Sequence, residues 1–204
     1  EDNAPAIEAR LKILLARPLS ADAAIQVALL RNAGLQAAFN ELGIAQVAMV
    51  TASLPPSPTI SVARLSSVVE LEIERRIVAN IIALATLPAR TEIASDRFRQ
   101  AKLKAAEKVF ALAADVRRAY YQAVASQQIV AFLEEAQSAA QSASELMRRL
   151  GATGAVNRLD QARDQVFFAE VTSQLAGARL KAFSDRERLT RLLGLWGSDV
   201  SFQL

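Results

Sequence analysis

The sequence predicts a mainly α-helical chain with one β-hairpin, built around a long antiparallel helical hairpin. Thr91 to Leu150 form a run of 60 positions without glycine or proline. As one helix it would reach about 90 Å, several times the globular mean. The run stops at Gly151-Ala152-Thr153-Gly154 and resumes from Asn157 to Leu193, broken only by Gly177. Upstream, apolar and polar residues alternate with period two from Val69 to Ile82, as they do in a strand with two unlike faces.

The elements follow in order. Residues 1–19 read as an N-terminal extension with one short helical piece, Ile7 to Ala16, ending at Pro18. Residues 20–53 hold short helices. Ser20 is placed to cap a helix from Ala21 to about Arg31. Asn32-Ala33-Gly34 reads as a bend, and a second helix runs from about Leu35 to Thr51, with Leu35, Phe39, Leu42 and Ala45 at helical spacing.

Residues 54–87 read as the β-hairpin. Leu54-Pro55-Pro56-Ser57-Pro58 ends the helix, Thr59-Ile60-Ser61-Val62 begins a β-type stretch, and Ser66-Ser67 reads as a tight turn. Val69, Leu71, Ile73, Ile77, Ala79 and Ile81 then share one face, interrupted by Arg75. Glu70, Glu72, Glu74, Arg76 and Asn80 share the other. A strand of this length crosses a bilayer when tilted. No other segment reads as strand, and a lone hairpin is marginally stable. It must therefore be completed by another chain or by sequence outside this one.

Residues 88–193 form the helical hairpin, with its tip at 151–156. Pro88 suits a first helical turn. Val109, Leu112, Val116, Ala119, Ala123, Ser126, Val130, Leu133, Gln137, Ala140, Ser144 and Met147 follow steps of three and four, a coiled-coil seam. Leu159, Ala162, Val166, Ala169, Ser173, Ala176, Leu180 and Phe183 repeat the rhythm on the return. Each helix has a second flank: Phe110, Ala113, Tyr120 and Val124 on the first, Phe167, Val171, Leu175 and Ala178 on the second. An apolar arc wider than one seam belongs to a helix with neighbours on two sides, in a ring or a multi-helix bundle. Glycines at the tip permit the left-handed backbone of a reversal, and Asn157 can cap the returning helix. Residues 194–204 read as the start of a further segment.

Composition narrows the function. The chain of 204 residues is 52% apolar but only 5% aromatic, with alanine prominent, which suits long narrow helix seams better than a compact core. The net charge of +3 is carried by arginines spaced along helices near acids, a solvated face rather than a nucleic-acid surface. There is no cysteine or histidine, so disulfides, thiolate chemistry and the commonest metal ligands are excluded. Glu134-Glu135 reads as a solvated helix face. Glu70, Glu72 and Glu74 either line a lumen or cover a solvent-facing strand, and the residues leave both open. No phosphate-binding loop or dinucleotide fingerprint occurs. We expect no catalytic, cofactor-binding or metal site. No uncharged apolar run of 18 residues occurs, so no transmembrane helix is expected. Glu1 stands where an initiator methionine would, the expectation for a processed or truncated product.

The order of helix, helix, β-hairpin, very long helix, glycine turn and very long helix resembles one repeat of the TolC-like outer membrane efflux proteins. Leu19 to Asn32 (LSADAAIQVALLRN) resembles the family's opening helix, Arg149 to Ala162 its periplasmic turn, and Arg188 to Leu195 (RLTRLLGL) the close of its repeat. The match covers about Ser20 to Trp196. Each motif alone is weak, and their order and spacing carry the resemblance.

The resemblance implies a homotrimeric export duct whose strands build an outer membrane β-barrel and whose helices are the staves of a periplasmic α-barrel. Its tip would dock onto a periplasmic adaptor protein fed by an inner membrane pump, with no cofactor. Arg149, Gly154, Leu159, Asp160 and Ala162 match the tip motif. Family members carry two repeats, so this chain is expected to be an N-terminal part of a longer protein. The lipid-attachment cysteine of some members is absent. The competing readings are a periplasmic adaptor, which would place β-rich halves on both sides of the hairpin, and a coiled-coil scaffold, which leaves the Val69–Ile82 alternation unexplained. An enzyme fits least, because no polar groups converge.

Overall fold

The structure is a computed structural model and describes residues 4–66, 71–78 and 80–204. Its elements are α1 (Ala4–Leu15), α2 (Ala21–Arg31), α3 (Ala33–Ser53), β1 (Thr59–Ser66), β2 (Leu71–Val78), α4 (Ile81–Ala85), α5 (Leu87–Ala152) and α6 (Arg158–Leu193), followed by a short 3-10 turn, Gly197–Val200. Two compact units result: residues 1–33 with 109–204, and residues 34–108.

The first unit holds a core. Val116, Ala119 and Ala123 of α5 meet Leu189 and Leu193 of α6, Ala24, Val27 and Ala28 of α2, and Leu11 of α1. Leu19, Leu195 and Phe202 complete it. The alanines keep the helices close, while the leucines and valines supply most of the buried area. Residues 1–19, read as an extension, thus contribute Leu11 and Leu19 to this core. Residues 194–204 return to it. The Leu19 N–H donates to the Gln203 carbonyl (2.8 Å), and Arg186 donates to the Phe202 carbonyl while its guanidinium lies 4.5 Å from the centre of the Phe202 ring.

Local chemistry sets the helix ends. The Ser20 hydroxyl accepts from the Ala23 N–H and caps α2. The expected three-residue bend narrows to Asn32, and α3 begins at Ala33 rather than Leu35. Asn32 adopts an extended conformation there (φ −66°, ψ 115°), and its Nδ2 donates to the Leu192 carbonyl (2.9 Å). At the close of α6, Gly194 takes φ +69°. Its N–H donates to the Arg191 carbonyl and that of Leu195 to the Thr190 carbonyl, the paired bonds of a Schellman motif. A Cβ on Gly194 would stand 2.5 Å from the Arg31 carbonyl oxygen, so α6 ends directly against the end of α2.

The second unit contains α3 from Gly34, the hairpin, α4 and the first part of α5. β1 and β2 pair antiparallel from Thr59↔Val78 to Ser66↔Leu71. The expected turn residue Ser67, and Val69, Glu70 and Ala79 of the alternating stretch, lie outside the described residues. One expectation is overturned here. Ile81 and Ile82, read as the end of the strand, lie in helix α4. The Asn80 side chain accepts from the Ala83 N–H (2.9 Å), and this cap overrides the alternation at the strand's end. Pro88 sits in the first turn of α5.

Candidate functional site

Two features of the helical hairpin are candidates, its distal turn and its outer faces. In the turn, the Gly154 N–H donates to the Gly151 carbonyl and that of Ala155 to the Leu150 carbonyl, with Gly154 at φ +78°. This is a second Schellman motif. The Asn157 side chain accepts from the Asp160 N–H (2.8 Å) and starts α6. Gly151 has a different task. A Cβ there would fall 2.3 Å from the Gln161 carboxamide, whose Nε2 donates to the Val156 carbonyl (3.2 Å). Gln161 thus braces the turn across the face that Gly151 leaves bare. Sequence reading missed it. Nothing in the sequence signals it, because the approach of Gln161 to Gly151 depends on where the two helix ends sit.

The residues matched to the tip motif gather around this turn. Gly154, Leu159 and Ala162 are exposed. Arg149 donates through Nε to Glu145 (3.0 Å), and Arg148 donates to both oxygens of the same carboxylate (2.9 and 2.7 Å). Arg148, and after it Arg149, hold the Glu145 carboxyl below its usual range. A carboxyl lowered in this way stabilises the fold above its ordinary pKa, and that contribution disappears as pH falls through the lowered value. Asp160 stands 3.7 Å from Arg163 one turn on. A shallow polar groove of about 530 Å³ lies beside this network, lined by Ser138, Ser142, Glu145, Arg148, Arg149 and Phe168, among others.

The seam predicted on α5 is the one the fold uses. Val116, Ala119, Ala123, Ser126 and Ala140 are buried, and the remaining seam positions from Val109 to Met147 are half-buried. The Gln137 Nε2 donates to the Thr172 hydroxyl (3.1 Å), and Arg179 donates to Glu134 (2.7 Å). Glu134, read as a merely solvated acid, therefore ties α5 to α6. Both partners are largely exposed, so the tie is worth at most about 1 kcal/mol.

On α6 the two faces are exchanged relative to expectation. Of the four residues read as its second flank three turn inward, with Val171 and Leu175 buried and Ala178 half-buried. Gln161, Asp164, Phe168, Ala182, Asp185, Leu189 and Leu193 extend that inner line at steps of three and four. The residues read as its seam face outward: Leu159, Val166, Leu180 and Phe183 are 60–71% exposed, and Ala162, Ala169, Ser173 and Ala176 between them are exposed too. Phe167 is also exposed, as is Phe110 of the α5 flank. The physical reason is that α6 carries two lines of equivalent apolar spacing, and only one can face α5. Helix α6 is a helix with two seams, one filled and one open among the described residues.

In the hairpin, Glu72 stands opposite Leu65 and Glu74 opposite Ala63. Glu70 lies outside the described residues. None of the described helices is long and apolar enough to cross a membrane.

Residues 81–195 match the family model described as "Outer membrane efflux protein". No curated protein matches the chain by sequence. Several solved structures share its fold, among them the following three. The Campylobacter jejuni CmeC outer membrane channel superposes with a TM-score of 0.74 at 15% identity, over 90% of this chain and 44% of that one. CusC, whose structures concern folding and transmembrane channel formation, gives 0.72 at 15% identity, over 87% and 44%. A membrane protein from Pseudomonas aeruginosa gives 0.71 at 16% identity, over 89% and 45%. The chain therefore spans less than half the length of each.

Proposed function

The chain belongs to the outer membrane efflux protein family, and from that premise we propose that it supplies staves and strands to a passive exit duct across the outer membrane and periplasm. The observation that carries this reading is the open second seam of α6. Burying Leu159, Val166, Leu180 and Phe183 is worth roughly 1.5–3 kcal/mol each. Together that rivals the net stability of a domain. A helix with one filled and one open seam at coiled-coil spacing is a stave awaiting a second neighbour. Three copies closing into a ring would fill the open seams, with any further staves of each protomer.

In this reading the hairpin enters the outer membrane as part of a barrel shared among the copies, which removes its unpaired edges. The barrel contacts outer membrane lipid, and the helices extend into the periplasm. The turn at 151–156 then marks the distal end. Arg149, Gly154, Leu159, Asp160 and Ala162 form the surface that docks a periplasmic adaptor protein, which connects the duct to an inner membrane pump. The duct performs no chemistry, and the pump supplies the energy.

Two experiments test the two ends. The left-handed conformation of Gly154 costs an L-residue about 1–2 kcal/mol. Gly154→Val should therefore lower the population of the native turn by roughly tenfold and lower export in a transport assay, while insertion into the outer membrane is unchanged. Normal export by this variant would remove the docking role of the turn. At the other end, replacing Glu70, Glu72 and Glu74 together with lysine should shift ion preference in planar bilayers away from cations. Unchanged selectivity would place these carboxylates on a face away from the lumen.

A further inference from the structure

Helix α4 is anomalous for an exposed segment. Ile81 and Ile82 are 76% and 78% exposed and Leu84 more than half exposed. Successive residues of an α-helix are about 100° apart, so these three side chains point in three different directions. A stave that meets one neighbour carries its apolar residues on one stripe. A helix apolar all round belongs in an apolar medium. No charged residue occurs between Arg76 and Arg90.

The backbone of this segment is also bonded locally. The Asn80 side chain accepts from the Ala83 N–H (2.9 Å), and the Asn80 carbonyl accepts from the Leu84 N–H (3.1 Å). The Thr86 hydroxyl donates to the Ile82 carbonyl (2.9 Å), and the Thr86 N–H donates to the same oxygen (3.0 Å). One turn on, the Thr91 hydroxyl donates to the Leu87 carbonyl (2.9 Å). Pro88 brings no N–H to satisfy. Side chains also cap helix ends in water, as Ser20 and Asn157 do in this chain, but the need for them grows where no solvent can replace the bond. In a lipid environment a backbone group left open finds no solvent partner at all.

We propose that α4 is a lipid-interface anchor, with Ile81, Ile82 and Leu84 immersed at the periplasmic edge of the bilayer where β2 leaves it. The placement follows from connectivity, since Asn80 caps α4 two residues after the last residue of β2, Val78. This inference rests on the reading of β1 and β2 as bilayer strands. Its consequence is mechanical, because an anchor at this level fixes the depth at which strand gives way to the long helix.

The absence of native cysteine makes the test direct. A nitroxide label is placed at Ile82→Cys in the assembled protein, reconstituted into phosphatidylethanolamine–phosphatidylglycerol vesicles. Collisions with oxygen and with a water-soluble nickel chelate are then compared with labels at Ile73→Cys in β2 and Ser142→Cys near the tip. Leu84→Cys serves as a second probe of α4. We expect oxygen collisions at positions 82 and 84 to rise, and nickel collisions to fall, relative to position 142. Water-like values at 82 and 84 beside a lipid-like value at 73 would overturn the anchor and leave the channel reading intact. Shielding of 82 and 84 from both reagents would overturn it in favour of a protein partner. Water-like values at all positions would overturn the anchor together with the membrane placement of the hairpin.

Discussion

Replacing Gly194 with valine should cost about 3 kcal/mol or more of stability. Two independent penalties combine. The position has φ +69°, a conformation that is strained for a β-branched residue. The new Cβ would also meet the Arg31 carbonyl oxygen at 2.5 Å and its carbonyl carbon at 2.8 Å. Both are backbone atoms at the end of α2, so relief requires the two helix ends to separate. Separation would stretch the Asn32–Leu192 hydrogen bond and the Arg31–Asp199 ion pair and loosen Leu193 and Leu195 from the core. The midpoint of denaturant unfolding should fall with little change in slope. Gly154 is the internal comparison. It too has a positive φ, but a Cβ there meets nothing within 4 Å, so Gly154→Ala should cost only about 1–2 kcal/mol. Equal losses at the two glycines would show that the contact with Arg31 carries no weight.

The second large effect is expected at Leu189. Its side chain is 0% exposed and lies in the cluster with Val27, Val116 and Leu193. Leu189→Ala should therefore destabilise the first unit by about 2–5 kcal/mol, the range for an unrelieved leucine cavity. Leu180, nine residues earlier and 71% exposed, provides the contrast. In an isolated chain Leu180→Ala should leave the unfolding midpoint almost unmoved. If the proposed ring forms, the variant should weaken association, because in that ring Leu180 fills a neighbour's groove. An unfolding series on both variants, with and without assembly, separates core residues from interface residues on one helix.

The contrast between these two leucines also shows what the sequence made legible. The seam of α5 could be read from Val109 to Met147 because it is the more consistent apolar line on that helix. On α6 two lines compete. The 159–183 series is as regular as the line through Val171 and Leu175, and spacing reports that a seam exists without saying which partner it meets. Only packing against α5 and α2 decides, and those contacts are distant in sequence. The end of the strand failed for a local reason. Ile81 and Ile82 continue the alternation in composition, but the Asn80 cap is worth more than one further step of period two. The bend at Asn32 was visible, though its narrowness was not, because it depends on the Leu192 carbonyl at the far end of α6. At the tip, Gly154 and Asn157 act as their residue types predict. The brace from Gln161 over Gly151 appears only when both helix ends are in place.

In the proposed function the open seam of α6 is filled within a closed ring of like chains. The most direct test is the mass of the protein extracted in detergent from outer membranes, measured by native mass spectrometry. We expect a complex of three copies that resists dissociation on heating. A single copy, recovered without detergent and with Leu159, Val166, Leu180 and Phe183 still open to solvent, would contradict it.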